Sequence, residues 1–579
     1  MADMVVKNSK SSNYPAKGLY NGKVGIRGRG NSSWWYFPKK PYSIELWNED
    51  QKGIDAAILD MPAEEDWALI ANYSDKSLMR NYIAYTFSNM IGTYAPKARF
   101  VDVYMNEDYI GNYLLTENIK RGSDRVPIKK LSDKAGDQEE PAISGGYLLE
   151  LTPKERITGQ NYLTTDRTKL SFEYKSPKDD EITEAQITWI TNYLNEFEDA
   201  LFGPDFADPE KGYAKYIDAD SFIDWILINE LARNNDADLN SSVYVYKDRN
   251  EKLKLGPVWD FDIGFGNVDY TDNWKTEGWF LNHASWFEQL FKDEVFLEKY
   301  VNRWKEIKPQ VDQLPALIDV TAEMLEESAA RNFEKWPILG EYVWPNQAPI
   351  PSTYQGEVDN LKKWITARAE WIDNNIDHLR ITSVATPHSL ACEPYEFTEW
   401  SASSTAGTFP PNISLLTTTE KDPTPSAIMN GEWNLSYDLS KRSRLNGLGE
   451  DGVSFINTSD SQDNTTGFVG AAMLSLNTEQ MKDVAVSWTG GTVAENNRIY
   501  ALRMQYRVGG TGDFIDVLDE EGNPIEYVRN ETGHSQRFED IQLPEETADK
   551  PLVQILWRYF QVSADISGSR AELRLMIFM

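Results

Sequence analysis

At 579 residues, with 41% hydrophobic and 12% aromatic side chains, the chain exceeds one ordinary core and predicts two or three globular domains. A formal charge of −33, from 58 basic against 91 acidic residues, argues against nucleic acid and anionic membranes as partners, because binding either requires cations to neutralise phosphates. The single cysteine, Cys392, excludes an intrachain disulfide framework, and no apolar run reaches the roughly 18 residues of a transmembrane helix.

Residues 1–13 read as a tail without the basic and apolar stretches of a signal peptide. From 14 to about 175 the chain reads as β-rich. Strand-like runs at Lys23–Arg27 and Tyr42–Trp47 flank the loop "RGRGNSSWWYFPKK". Gly28 and Gly30 allow close backbone approach to an anion, and Arg27, Arg29, Lys39 and Lys40 supply positive charge in an acidic protein. A solvated basic hairpin explains the same residues equally well. Ser74 or Asp75 caps an expected helix to about Ile91, with Lys76, Arg80 and Asn81 in its first turns. A hairpin follows, turning at Asn106–Asp108 and ending at Glu117, and "GGYLLEL" reads as a short buried strand.

From about 176 to 383 the periodicity becomes helical. Ile187, Ile190, Leu194, Phe197 and Leu201 form one stripe, and Asp220 is the expected cap of the apolar helix "SFIDWILINELARN". Two acidic loops follow, "NNDADLNSS" and "GPVWDFDIGFG", separated by two strands. Asp236, Asp238, Asp260 and Asp262 are hard oxygen ligands of the kind Mg²⁺ takes, although aspartates in loops also cap turns. Further helices are expected over about 287–337 and 355–380. Residues 384–395 read as a linker, and 396–579 as an all-β sandwich with inward runs such as Tyr500, Leu502, Met504, Tyr506 and Val508.

The order of these motifs, from "RGRGNSSW" through "NYSDKSLMRNYIAY", "YLLTENI", "GGYLLEL" and "LINELARNNDADLNSSVYVY" to "GPVWDFDIGFG", resembles the CotH (spore-coat protein H) kinase-like family. The resemblance implies an α+β, divergent protein-kinase-like two-lobe fold, here followed by the sandwich. It implies ATP with Mg²⁺, or Mn²⁺ or Ca²⁺ in its place, between the lobes. Carried over residue by residue, Asp236 resembles the catalytic aspartate, and Asp260 and Asp262 the metal-binding pair. Arg27, Arg29, Lys40, Arg80 and Glu117 are candidate nucleotide contacts. Family members carry an asparagine shortly before the Tyr-x-Tyr strand; here Ser241 and Ser242 stand near that position, and Asn240, slightly earlier, is the candidate third metal ligand.

The expected function is a secreted or surface kinase acting on Ser or Thr of an extracellular protein. A non-catalytic binding or adhesion protein on a degenerate kinase fold, and a carbohydrate-active or glycan-binding protein using the sandwich, are the alternatives left open at this level.

Overall fold

The computed structural model describes residues 1–8, 17–379, 387–397, 400, 412–418, 420–427, 429, 431–432, 444–457, 468–510, 513–562 and 567–578. They form two compact units, Met1–Ile376 and Asp377–Met579. Parts of the expected tail (9–13) and linker (384–386) lie outside the described residues.

The first unit begins with β1 (Ala2–Val5), β2 (Asn21–Gly28), the short helix α1 (Ser32–Tyr36) and β3 (Tyr42–Trp47). A small ladder of β4 (Ala56–Ile58) and β5 (Met61–Glu64) precedes β6 (Asp66–Ile70) and helix α2 (Arg80–Met90). The hairpin β7 (Ala98–Met105) and β8 (Asp108–Glu117) completes a six-stranded sheet ordered β1-β2-β3-β6-β8-β7. Thus residues 2–5, read from sequence as tail, form the edge strand against β2. Leu46, Trp67, Leu69, Tyr113 and Leu115 build the core on one face of this sheet.

A second sheet, ordered β10-β11-β9-β12-β13, follows from β9 (Tyr147–Leu151), β10 (Tyr162–Thr164), β11 (Ser171–Ser176), β12 (Val243–Lys247) and β13 (Lys254–Leu255). Between β11 and β12 run α3 (Glu184–Leu201) and α4 (Ala219–Ala232). Helix α3 opens on a capping box between Thr183 and Gln186, which satisfies two free amides reciprocally. The cap of α4 is Asp218, whose carboxylate accepts the Ser221 amide three residues on; Asp220, the cap expected from sequence, lies in the first turn. Phe222, Ile223, Trp225, Ile226, Leu227 and Ile228 are all buried, so α4 is the central pillar of the unit. Of the helices that follow, α5 (Ser285–Leu290) meets it through Phe287 on Trp225, α6 (Glu294–Val311) packs along it, and α7 (Leu314–Lys335) packs on α8 (Tyr354–Asn375), which also lies against α4.

The second unit is all-β. One sheet contains Ile413–Thr418, Phe468–Asn477, Val553–Gln561 and Tyr500–Val508; the other contains Val453–Ile456, Glu572–Phe578, Ala485–Ala494 and Ser535–Gln542. Leu474, Leu502 and Trp557 from one sheet share a core with Val486, Trp488 and Leu575 from the other, which makes a β-sandwich. The expected inward run from Tyr500 to Tyr506 is buried, while Val508 emerges at the strand end. No helix among the described residues is long and apolar enough to cross a membrane.

Candidate functional site

Two loops leave the helical part of the first unit and meet. The first starts where α4 ends at Arg233, whose left-handed backbone (φ 43°) turns the chain sharply. Its guanidinium donates to the carbonyls of Glu277 and Gly278, fixing that turn. The second loop follows β13. Asn234 joins them: its side chain donates to the Asp260 carbonyl at 3.0 Å. Asn81 on α2 accepts the Phe261 amide at 2.7 Å, and buried Phe261 and Phe265 stack beneath. Leu239, Ser242, Asp260 and Phe265 also have positive φ (43°, 58°, 64° and 50°). Such backbone is costly for residues other than glycine and persists where the surroundings enforce it, commonly at functional sites.

Asp236, Asp260 and Asp262 lie within reach of one another's charge. Burial and the charge of Asp260 push Asp236 up to about 7, with Arg156 pulling the other way. Asp260 and Asp262 hydrogen-bond to one another, and both are raised by burial. Asp262 is raised further by the charges of Asp260, Asp236 and Asp75. Burial and mutual charge disfavour ionising all three, and a cation among them would favour it. The buried Tyr85 hydroxyl lies against the Asp260 backbone, in the field of the same two aspartates and of Arg29. Acids gathered on two loops, one of them on left-handed backbone at Asp260, fit a divalent ion bound through oxygen.

Of the expected cations, Arg29 is the one the structure sets against this group. Its charge acts on Asp260, its guanidinium lies 5.2 Å from the Trp259 ring centre, and it donates to Asn118 at 3.0 Å. Arg27 is exposed on β2. Lys40 donates to the Trp34 carbonyl and lies over the Trp34 ring, within its own loop. Arg80 is paired at 2.5 Å with Asp75, both fully buried, so it neutralises the acid standing behind Asp262. Glu117 is buried at the end of β8, accepting from the Lys97 amide and the Tyr94 hydroxyl. Asn240 is exposed; the hydroxyl that reaches Asp260 is that of Ser242, at 3.4 Å.

Tyr85, Asn234 and Trp259 complete the site without having been assigned to it from sequence. Each sits in an apolar or loop context whose simplest reading is packing or a turn. On the open side, Tyr270 accepts from Asn235, feels the charges of Asp236 and Asp262, and stacks on Trp344, which meets Tyr36. These three rings are 48%, 40% and 72% exposed and form an aromatic shelf beside the acids. A separate carboxylate trio, Glu64, Glu65 and Asp66, brings its oxygens within 4.8 Å of one another, as Asp236, Asp260 and Asp262 do not, but Lys120 already bonds all three at 2.9, 3.3 and 2.7 Å.

A family model described as CotH kinase protein matches residues 26–372, more than half of the chain and the whole of this site. A comparison with curated proteins finds no match.

Proposed function

Because the chain belongs to the CotH kinase family, we propose that it transfers the γ-phosphate of ATP to a Ser or Thr hydroxyl of an extracellular protein. The observation that supports this most is the meeting of the Asp236 loop with the loop of Asp260 and Asp262, tied by Asn234 to the Asp260 carbonyl, with Arg29 over the neighbouring Trp259 ring. In this reading Asp260 and Asp262 hold Mg²⁺, with the Ser242 hydroxyl orienting Asp260. The ion supplies charge neutralisation at the phosphate oxygens when bound. Asp236 accepts the proton of the acceptor hydroxyl as the new oxygen–phosphorus bond forms and ADP leaves. Arg29 faces the polyphosphate, and Arg27 and Lys40 raise the positive charge of the same hairpin. Tyr36, Trp344 and Tyr270 offer an approaching polypeptide a surface beside Asp236.

Titration calorimetry with a nonhydrolysable ATP analogue and Mg²⁺ tests this. The native protein is expected to bind one equivalent, Asp260→Ala to lose binding, and Asp236→Asn to keep it while transfer of labelled γ-phosphate falls at least ~100-fold. Absence of nucleotide binding by the native protein with either Mg²⁺ or Mn²⁺ contradicts the proposal.

Glycan binding through the sandwich has less support. Among the described residues of that unit Trp400, Trp488 and Trp557 are buried in the core, where they have no face to offer a sugar.

A further inference from the structure

The strand motif "GGYLLEL" carries a side chain that the reading above does not use. Glu150 on β9 stands opposite Tyr244 on β12 and Glu173 on β11, so all three share one face of the second sheet. The Tyr244 hydroxyl donates to one oxygen of Glu150 at 2.7 Å. The Lys175 ammonium meets the other oxygen at 2.5 Å and reaches Glu173 at 3.5 Å. Pairing of β11 with β9 slips between Tyr174 and Ser176, placing an irregularity at Lys175 itself. Bulges of this kind re-aim a side chain and are frequent beside active sites.

The face looks toward the acidic site. Tyr244 and Leu148 belong, with Val126 and Ile128, to the apolar cluster against which Trp259, the residue preceding Asp260, packs. The charge of Glu150 acts on Asp260, and the field at Tyr244 includes Arg29 and Asp260. Lys175 keeps 34% of its side chain exposed, with its ammonium held by Glu150 and Glu173. Of the cations expected from sequence besides Arg29, Lys40 is tied to Trp34, Arg80 to Asp75, and Arg27 is exposed on β2. A tetra-anionic nucleotide brought against three aspartates needs more fixed positive charge than Arg29 and Arg156, the cations that act on Asp260 and Asp236, supply.

We propose that Lys175 contacts the terminal phosphates of the bound nucleotide, and that Glu150, braced by Tyr244, is the positioning residue that aims it. This rests on the kinase reading. An ion pair serving only the sheet would be worth little and would not distinguish one nucleotide from another.

The test compares native protein, Lys175→Met, Lys175→Arg and Glu150→Gln, each titrated with the ATP analogue and with AMP in the presence of Mg²⁺. Lys175→Met is expected to weaken the ATP analogue about tenfold or more while leaving AMP unchanged, because only the longer phosphate chain reaches the ammonium. Lys175→Arg should recover part of the loss, and Glu150→Gln should weaken the ATP analogue selectively. Unchanged affinity of Lys175→Met for the ATP analogue overturns the assignment, as does an equal loss for AMP and ATP analogue, which marks a general structural defect. A native protein that binds AMP but gains nothing from the added phosphates also overturns it. Native protein that binds no nucleotide overturns the kinase reading and this assignment with it.

Discussion

Lys39 and Lys40 are neighbours in the chain with opposite fates. Lys40 stays on its own loop, while Lys39 is fully buried, donating to the Asn112 carbonyl and, at 2.9 Å, to Asn332 of α7. Sequence favours Lys40 as the functional lysine because nothing in a loop without periodicity tells which of two lysines turns inward. Burial lowers Lys39 from the usual value near 10.5 to about 7, against the pull of Asp102 and Asp75. Between those values the unfolded chain binds the extra proton, so the Lys39 contribution makes stability rise with pH from about 7 to about 10. Urea unfolding at pH 7 and 9.5 should show a smaller rise in Lys39→Met than in the native protein; equal rises contradict the buried-lysine account. The same scale explains why Asn240, expected as a metal ligand, does not reach Asp260. Asn240 and Ser242 are two residues apart, but left-handed backbone at Leu239 and Ser242 turns the serine to Asp260 and leaves Asn240 in solvent.

At the scale of elements, much was legible. The apolar run of α4, the stripe of α3, the hairpin at Asn106–Asp108 and the two acidic loops all follow from periodicity and turn residues. The start of α2 did not. Asp75, read as a cap, spends its carboxylate on Ser77 and Arg80, and the helix begins only at Arg80. How the loops cross was also hidden, because the ties that decide it are single long-range hydrogen bonds, Asn81 to Phe261 and Asn234 to Asp260. A buried ion pair holds the frame behind them. Arg368 of α8 meets Glu230 of α4 at 2.7 Å and donates to the carbonyls of Thr276 and Gly278, while Glu230 accepts the amides of Phe280 and Leu281. Removing one member strands the other's charge, which costs about 3–5 kcal/mol. Arg368→Met should lose stability on that order in urea melts; a loss below about 1 kcal/mol would show that the pair is dispensable.

For the whole molecule, the change from helical periodicity to short polar-turned strands announced a second unit, and the structure divides the chain at Ile376 and Asp377. Strand order was not legible in either unit, since pairings such as Ala2–Val5 with β2, or Val453–Ile456 with Glu572–Phe578, join segments whose local sequences carry no record of their partners. Two units with separate cores should melt as two calorimetric transitions. Nucleotide with Mg²⁺ at about 100 times its dissociation constant should stabilise only the transition of residues 1–376, by about 2.7 kcal/mol. A shift in the sandwich transition would place the nucleotide elsewhere.

Diffraction from crystals grown with Mn²⁺ and a nonhydrolysable ATP analogue, read at the manganese absorption edge, bears most directly on the acidic site. An anomalous peak bonded to carboxylate oxygens of Asp260 and Asp262, with phosphate on its far side and Arg29 facing it, is the expected result. Manganese bound only at Glu64, Glu65 and Asp66, or nucleotide bound without contact to the two aspartates, would contradict the account.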